Sequence, residues 1–124
     1  MGRIFLLVGT GGFLGSIARY LTAIWLTKHF PSAFPYGTFA ANILGCLLIG
    51  VIFGLGQRFE WLTPELRLFL TTGFCGGFTT FSSFTLENTI LLQNSNYLTF
   101  AIYAISSFTL GLLAVFGGIT LTKI

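Results

Sequence analysis

The sequence contains very little charge. Lys and Arg together number 6 and Asp and Glu number 3, so that only 7% of the 124 residues are charged. A soluble domain carries about 25% charged residues, which cover its water-facing surface. Here 54% of the residues are hydrophobic and the mean hydropathy is +0.89. The shortage of charge therefore excludes a soluble globular domain and indicates an integral membrane protein.

Reactive and metal-binding side chains are also scarce. Cys46 and Cys75 form no C-x-x-C pair, and their spacing fits neither a zinc site nor a small disulfide scaffold. We interpret them as small, polarizable core residues. The one histidine, His29, has no evident metal or nucleophile partner, and the formal charge of +3 is too small and dispersed for nucleic-acid binding. We therefore expect neither an enzyme nor a nucleic-acid-binding protein.

Four apolar segments are long enough to cross a membrane. They run over residues 4–27, 36–57, 66–92 and 97–121. Each reaches the ~20 residues that span a hydrocarbon core of about 30 Å, and none alternates with the period of a transmembrane β-strand. We predict an all-α integral membrane protein that forms a single domain, residues 1–124, of four transmembrane helices.

The few basic residues bear on topology. With four spans, both termini and the middle loop share one side, and that side would hold the basic residues Arg3, Arg58, Arg67 and Lys123. The other side would hold Lys28, joined by Arg19 if that side chain reaches the interface. The positive-inside rule then weakly favours cytoplasmic termini. So small a bias also fits a chain that inserts in both orientations.

The 16 glycines predict close helix packing. Three pairs have a spacing of four residues, which lets helix backbones approach each other in lipid: Gly11 and Gly15, Gly50 and Gly54, and Gly73 and Gly77. Four short helices cannot easily enclose a hydrophilic path and also bury their own polar groups. We therefore expect self-association.

Several polar side chains lie inside predicted spans, where they are costly unless they have partners. Arg19 has two possible roles. It anchors its helix by reaching the interface or by binding a carbonyl at a helix end, or it provides a positive charge in a vestibule that gathers anions. Asn42 either bonds two helices together or lines a path, and Thr38 lies one turn earlier on its face. Glu87 is the carboxylate furthest inside a span, and we expect it to reach the interface or cap a neighbouring helix.

The last span carries hydroxyl groups at helical spacing. Tyr103 and Ser107 are four residues apart and share a face. A hydroxyl in a transmembrane helix often bonds the carbonyl four residues earlier. These side chains therefore either satisfy their own helix or form a polar track.

The stretch GFCGGFTTFSSF, from Gly73 to Phe84, is too apolar for a surface loop and too rich in glycine for a regular helix. We predict a helix break at its glycines, with unwound carbonyls that could bind a cation. Phe78, Phe81 and Phe84 then form a stripe, which either packs or turns positive ring edges toward an anion.

These segments resemble the Fluc (CrcB) fluoride channels over essentially the whole chain. The matching segments are GGFLGSIARY, GTFAANILGCLLIG and GFCGGFTTFSSF, in the order and spacing of that family. The resemblance implies a four-helix subunit of the bacterial inner membrane with its third helix broken near the centre. It also implies an antiparallel, dual-topology homodimer that lets fluoride leave the cell passively and so protects against fluoride toxicity.

The resemblance also implies roles for individual residues. A structural sodium ion at the dimer interface would be held by the backbone carbonyls of Gly76 and Thr79. The residues expected along the fluoride pathway are Phe81, Phe84, Asn42, Thr38, Ser83, Tyr103 and Ser107, with Arg19 in a possible vestibule. Gly111 stands where the family has a further serine after Ser107.

Two other functions are compatible with a small four-helix membrane protein. A small multidrug exporter would need a carboxylate in its first helix, where this chain has Arg19 and no acid. A membrane anchor or assembly subunit would need no polar track, whereas Asn42 and Ser107 suggest one. The fluoride channel is therefore the preferred hypothesis.

Overall fold

The structure, a computed structural model, describes residues 1–124 and is entirely helical. Its elements in chain order are α1 (Gly2–His29), α2 (Tyr36–Arg58), α3 (Pro64–Leu68), a π-helix (Phe69–Cys75), α4 (Gly76–Phe78), α5 (Phe81–Gln93) and α6 (Tyr97–Leu121). The helices α1, α2 and α6 are each long and apolar enough to cross a membrane. The elements from α3 to α5 together cover the third predicted span.

The third span is interrupted, as predicted, but the interruption does not lie at the glycines. The backbone is extended at Thr79 (φ −89°, ψ 159°) and at Thr80 (φ −153°, ψ 123°). The Thr80 hydroxyl accepts a hydrogen bond from the Ser83 N–H at 3.2 Å, which caps the start of α5. We call Thr79 and Thr80 the helix break. Because it separates Phe78 from Phe81, the predicted aromatic stripe is not continuous.

The glycines before the helix break are helical and serve close packing against α1. A Cβ atom on Gly11 would lie 2.9 Å from the Cα atom of Gly73, and one on Gly15 would overlap the carbonyl oxygen of Phe74. Only glycine permits such an approach of two helix backbones. This contact confirms the predicted packing role and explains why the glycines do not break the helix.

Glycines also bring α2 and α6 together. A Cβ atom on Gly50 would overlap the backbone of Val115, and one on Gly118 would lie 2.5 Å from the carbonyl oxygen of Leu47. The glycine-rich faces of the first, second and third spans are thus occupied within the subunit. Self-association, if it occurs, must use other surfaces than the paired glycines from which we predicted it.

Most side chains face outward. Of the 124 residues only 19 are buried, and a small core cluster forms around Ile52, Leu62 and Cys75. The outward-facing residues are dominated by Leu, Ile and Phe. Such a surface is stable in lipid and not in water, because most of its large apolar side chains remain exposed outside the protein core. The chain is a multi-pass membrane protein.

The basic residues lie where the predicted topology places them, with one exception. Arg3 pairs with Glu65 at 2.8 Å, and Arg58 Nη1 donates to the carbonyl of Thr122. These contacts bring the start of α1, the end of α2, the start of α3 and the end of α6 to one end of the bundle. Arg19 is the exception, since it binds a carbonyl within the third span.

Candidate functional site

The helix break is held by a side chain from α2. Asn42 Nδ2 donates to the Thr80 carbonyl at 3.1 Å, and the Thr80 N–H donates to Asn42 Oδ1 at 2.8 Å. The two bonds fix which end of the amide is oxygen, because a carbonyl needs a donor and an N–H needs an acceptor. Of the two roles that the sequence left open, the structure shows that Asn42 bonds two helices together. The second N–H of the Asn42 amide is not used by these two bonds.

The break leaves two carbonyl groups without their helical donors. In a continuous helix the Gly76 carbonyl would accept from the Thr80 N–H, and the Thr79 carbonyl from the Ser83 N–H. The first N–H binds Asn42 instead, and the second binds the Thr80 hydroxyl. Backbone carbonyls without a donor are costly inside a membrane unless another partner replaces it. These are the two carbonyls to which the family resemblance assigns a sodium ion.

Arg19 binds one of the two carbonyl groups that lie between them in sequence. Its Nε donates to the Gly77 carbonyl at 3.1 Å, and its side chain is partly buried against the end of α4. Of the two alternatives for Arg19, this contact confirms a partner for a helix-end carbonyl. A guanidinium also offsets the negative end of the helix dipole at this point.

An open groove of about 410 Å³ runs beside the helix break. Six of the residues predicted from the sequence line this central groove: Asn42, Gly76, Thr79, Phe81, Phe84 and Ser107. Phe81 is 76% exposed and stands at its rim beside Phe108, which is 72% exposed. The structure therefore brings both predicted sodium residues and four of the seven predicted fluoride residues to one open surface of the subunit.

The neighbouring residues Ser106 and Ser107 on α6 differ in the partners of their hydroxyl groups. The Ser106 hydroxyl donates to the carbonyl of Ile102, so it satisfies its own helix. The Ser107 hydroxyl is buried, has no hydrogen-bond partner and lines the central groove. A buried hydroxyl without a partner costs free energy unless a ligand or water completes it. Ser107 is therefore a donor available to an anion in the groove.

Glu87 connects three helices. Its Oε2 accepts from the Thr38 hydroxyl of α2 at 2.7 Å, and its Oε1 accepts from the Tyr103 hydroxyl of α6 at 2.8 Å. Sequence reasoning did not find these two bonds, which satisfy both oxygens of the carboxylate. The similar distances of the three residues from one end of their spans are the one signal in the sequence, and they do not give the rotation of the helices.

A second cavity, of about 220 Å³, lies between this carboxylate and the loop that joins α1 to α2. Thr38 and Glu87 line it together with the end of α1, the loop residues Phe30 and 32–35, and the start of α2. Tyr103 is completely buried, and its ring packs against Phe84 in an edge-on arrangement with 5.0 Å between centroids. The side chains of Phe84, Tyr103 and Glu87 thus form a continuous series from the central groove to this loop-side cavity.

Ser83, like Tyr103, is a predicted pathway residue that lines neither cavity. The backbone N–H of Ser83 caps α5 through Thr80, and no hydrogen bond to its hydroxyl is present. Gly111 stands where the family has a further serine. A Cβ atom on Gly111 would lie 3.5 Å from the sulfur of Cys46. The polar part of the α6 face therefore ends at Ser107 in this chain.

Comparison with known proteins gives a consistent result. Residues 6–119 match the family model described as CrcB-like protein, Camphor Resistance (CrcB). The chain is 51% identical over 118 residues to a fluoride-specific ion channel FluC of Gloeothece citriformis, with 95% of each chain covered. It is 46% identical over 116 residues to the protein of that name from Flavobacterium psychrophilum, with 94% of each chain covered. For the one from Bacteroides fragilis the identity is 50% over 111 residues, and 87% of each chain is covered. The chain belongs to the CrcB-like family.

Proposed function

We propose that this protein is a fluoride channel through which fluoride leaves the cell passively. The relatives reported above are named as fluoride-specific ion channels, and the chain covers nearly their whole length. The structural observation that carries the proposal is the series from the central groove to the loop-side cavity, with the unpartnered Ser107 hydroxyl at its start. An ion channel, and not an enzyme, is the function that this arrangement serves.

The groups along the series suit a small, strongly hydrated anion. Such an ion crosses a membrane only where compact donors replace its water. The Ser107 hydroxyl and the remaining N–H of Asn42 are such donors, and the ring edges of Phe81 and Phe84 carry the positive part of the aromatic quadrupole. The two phenylalanine rings lie 5.8 Å apart, with Phe81 at the rim and Phe84 toward Tyr103. They could therefore pass an anion from the groove inward.

The exporter alternative finds no support in the geometry. It requires a carboxylate in the first helix, and the one carboxylate inside the bundle is Glu87 on α5, whose oxygens both accept hydrogen bonds. The first span instead contributes Arg19, whose charge lies beside the helix break. A positive group at that depth favours anions over the cationic drugs that such exporters carry.

We further propose that a sodium ion is bound by the carbonyls of Gly76 and Thr79. These groups fit a hard cation, because both lack their helical donors and Gly76 is exposed at the central groove. Unwound carbonyls at membrane depth are typical sodium ligands. The ion would supply the positive charge that stabilises the break. Thr79→Ser, which keeps the hydroxyl bond to the Cys75 carbonyl, should retain sodium-dependent thermal stability.

The site also favours a second copy of the chain as a partner. The central groove is open, its rim carries the exposed rings of Phe81 and Phe108, and two carbonyls are too few to complete a cation site. A second subunit would cover the groove and supply the same two carbonyls again. We propose that this homodimer is antiparallel, with dual topology. The antiparallel arrangement rests on the family resemblance and on the small difference in basic residues between the two ends of the bundle.

Passive efflux of fluoride from liposomes tests the proposed function. The purified protein is reconstituted with internal potassium fluoride, potassium is allowed to follow through valinomycin, and external fluoride is measured with an electrode. Rapid release that needs no proton gradient, with little release of chloride under the same conditions, is the expected result. Release only in the presence of a proton gradient, or transport of a cationic drug, would favour the exporter.

Single cysteines test the proposed topology. In a Cys46→Ala/Cys75→Ala background, Glu60→Cys lies in the loop between α2 and α3, and Asn94→Cys lies at the opposite end of the bundle. An impermeant maleimide should label each variant partly from outside and partly only after lysis. Labelling of one variant entirely from outside and of the other entirely from inside would show a single orientation.

A further inference from the structure

A third cavity lies at the end of the bundle where α2 and α6 terminate. It measures about 350 Å³, which is within the roughly 300–1,000 Å³ of small-ligand sites. Its lining contains no hydrophobic residue and consists of Gly54, Gln57, Arg58, Thr122 and Lys123. None of these residues lines the central groove or the loop-side cavity. A cavity that has no hydrophobic residue and two basic residues in its lining is unusual on a surface that is otherwise apolar.

Arg58 is held in place at this basic cavity. Its Nη1 donates to the Thr122 carbonyl at the end of α6, and its guanidinium carbon lies 5.4 Å from the centre of the Phe59 ring. A guanidinium has five N–H donors in a fixed plane, and the carbonyl occupies one of them. The remaining donors are thus oriented without further loss of side-chain freedom, which favours binding of an anion with several oxygens.

The positive charge of the basic cavity has no acidic partner. The structure contains one ion pair, between Arg3 and Glu65, and neither Arg58 nor Lys123 takes part in it. Two helices end here, each with about half a negative charge at its carbonyl terminus. The two basic side chains exceed the partial negative charge of the two helix ends.

We propose that Arg58 and Lys123 form a binding site for a phosphate group. Bidentate contact with phosphate oxygens is the typical use of an oriented guanidinium, and the flexible ammonium of Lys123 adds a second charge. The phosphate can belong to the headgroup of an anionic phospholipid or to inorganic phosphate. Both sources present the same oxygens to Arg58.

The position of the cavity agrees with a ligand at the membrane surface. Arg58 is the last residue of α2, and Lys123 follows the end of α6 by two positions. Trp61 lies in the adjoining loop and is 62% exposed, as is typical of residues at the headgroup level. Basic pockets between transmembrane helices at this level bind anionic headgroups.

Binding to the full-length protein in detergent tests the proposal. Native mass spectrometry would count bound phosphatidylglycerol, with phosphatidylcholine as the zwitterionic comparison. Calorimetric titration with sodium phosphate, against sodium chloride at equal ionic strength, would measure the other source. The variant is Arg58→Gln/Lys123→Gln. The matched control is Arg3→Gln/Lys28→Gln, which removes the same charges from exposed positions outside the cavity.

We expect the wild type to bind phosphatidylglycerol or inorganic phosphate and the Arg58→Gln/Lys123→Gln variant to bind it about thirtyfold more weakly, while the control variant binds normally. Tight binding of the lipid alone identifies a headgroup site, and saturable binding of free phosphate identifies a site for the ion. Equal losses in both double variants, equal binding of the two lipids without phosphate binding, or no binding at all would overturn the proposal. If the double variant does not fold, Lys123→Gln alone decides, since the Lys123 side chain makes no hydrogen bond within the protein, and an unchanged affinity would then contradict the site.

Discussion

The two halves of the third span are built differently. The half before the helix break, residues 64–78, is held by backbone contacts in which glycines of α1 lie directly against Gly73 and Phe74. The half after it, α5, is held by hydrogen bonds of polar side chains, such as those of Glu87 with α2 and α6. The first half is therefore held mainly by close backbone packing at glycines, and the second half by hydrogen bonds of its side chains.

This difference explains how a small chain combines rigidity with a polar site. Close packing of glycines fixes α4 against α1, Arg19 binds the Gly77 carbonyl, and the carbonyls of Gly76 and Thr79 remain available. The α5 half can then start in a new direction from the Thr80 cap and present Phe84 and Glu87 to α6. The break is the point at which the scaffold ends and the proposed pathway begins.

The largest expected effect separates a glycine of the packed contact from the glycine at the groove. Gly15→Val places its side chain in the backbone of Phe74, and we expect at least about 3 kcal/mol of destabilisation and loss of the folded protein. At Gly76 the nearest atom to a Cβ would be the Thr71 carbonyl oxygen at 3.7 Å. Gly76→Val should therefore fold. It should fail to form the proposed dimer, because its side chain would stand in the groove that the second subunit is proposed to cover. Size-exclusion chromatography with light scattering measures both results.

A stable Gly76→Val dimer that conducts fluoride would contradict the assignment of this carbonyl to a shared cation site. A folded Gly15→Val variant would show that α1 can move away from the third span, and that the first half is less rigid than its contacts indicate.

The next effect concerns the side chain that holds the break. Asn42→Ala leaves both the N–H and the carbonyl of Thr80 without their partner, and each unsatisfied group costs about 1–3 kcal/mol. Asn88→Ala is the matched control, because Asn88 Nδ2 donates to the Phe84 carbonyl within its own helix. We expect the melting temperature to fall clearly more for Asn42→Ala than for Asn88→Ala. Equal losses would show that the break is stable without α2.

The aromatic rings on either side of the break should respond in opposite ways. Phe81→Ile and Phe84→Ile remove ring edges at the groove. If the loss of these edges raises the permeation barrier by about 1.4 kcal/mol, efflux slows tenfold. We expect both to form folded dimers with at least tenfold lower fluoride efflux from liposomes. Phe78 is only 6% exposed and stacks on Phe74 at 5.8 Å. Phe78→Ile should mainly lower stability, by about 1–2 kcal/mol.

Near-normal efflux from folded Phe81→Ile and Phe84→Ile variants would assign these rings to packing. A loss of efflux in Phe78→Ile, measured per folded dimer, would show that the break does not divide the stripe functionally.

The helices follow the apolar segments of the sequence closely, because hydrophobic length is a local property. The helix α6 has the bounds of its segment and α2 ends one residue later than its segment, while the first and third helical segments extend theirs by one or two residues at each end. The position of the break was not predictable from glycine content, since Gly73 and Gly77 serve contacts with α1 that a single segment does not reveal. The bonds of Glu87 were missed for a similar reason. They depend on the depth and rotation of three helices, and periodicity within one helix gives neither.

The smallest expected effect distinguishes the two neighbouring serines of α6. Ser106→Ala removes a hydroxyl that bonds the carbonyl of its own helix, and that carbonyl keeps its backbone partner. Ser107→Ala removes the buried hydroxyl that has no partner in the subunit and lines the central groove. Because removal of an unsatisfied hydroxyl relieves a desolvation cost, we expect Ser107→Ala to be as stable as the wild type or slightly more so. Its fluoride efflux should nevertheless fall severalfold, since a hydrogen bond to an anion contributes about 1.5–3 kcal/mol and water replaces it only in part. Ser107→Thr, which keeps the hydroxyl, should retain more efflux than the alanine variant. Thermal unfolding and electrode-measured efflux on the same preparations separate the two quantities. A Ser107→Ala variant that transports fluoride like Ser106→Ala would remove Ser107 from the pathway and place the first donor to the ion at Asn42.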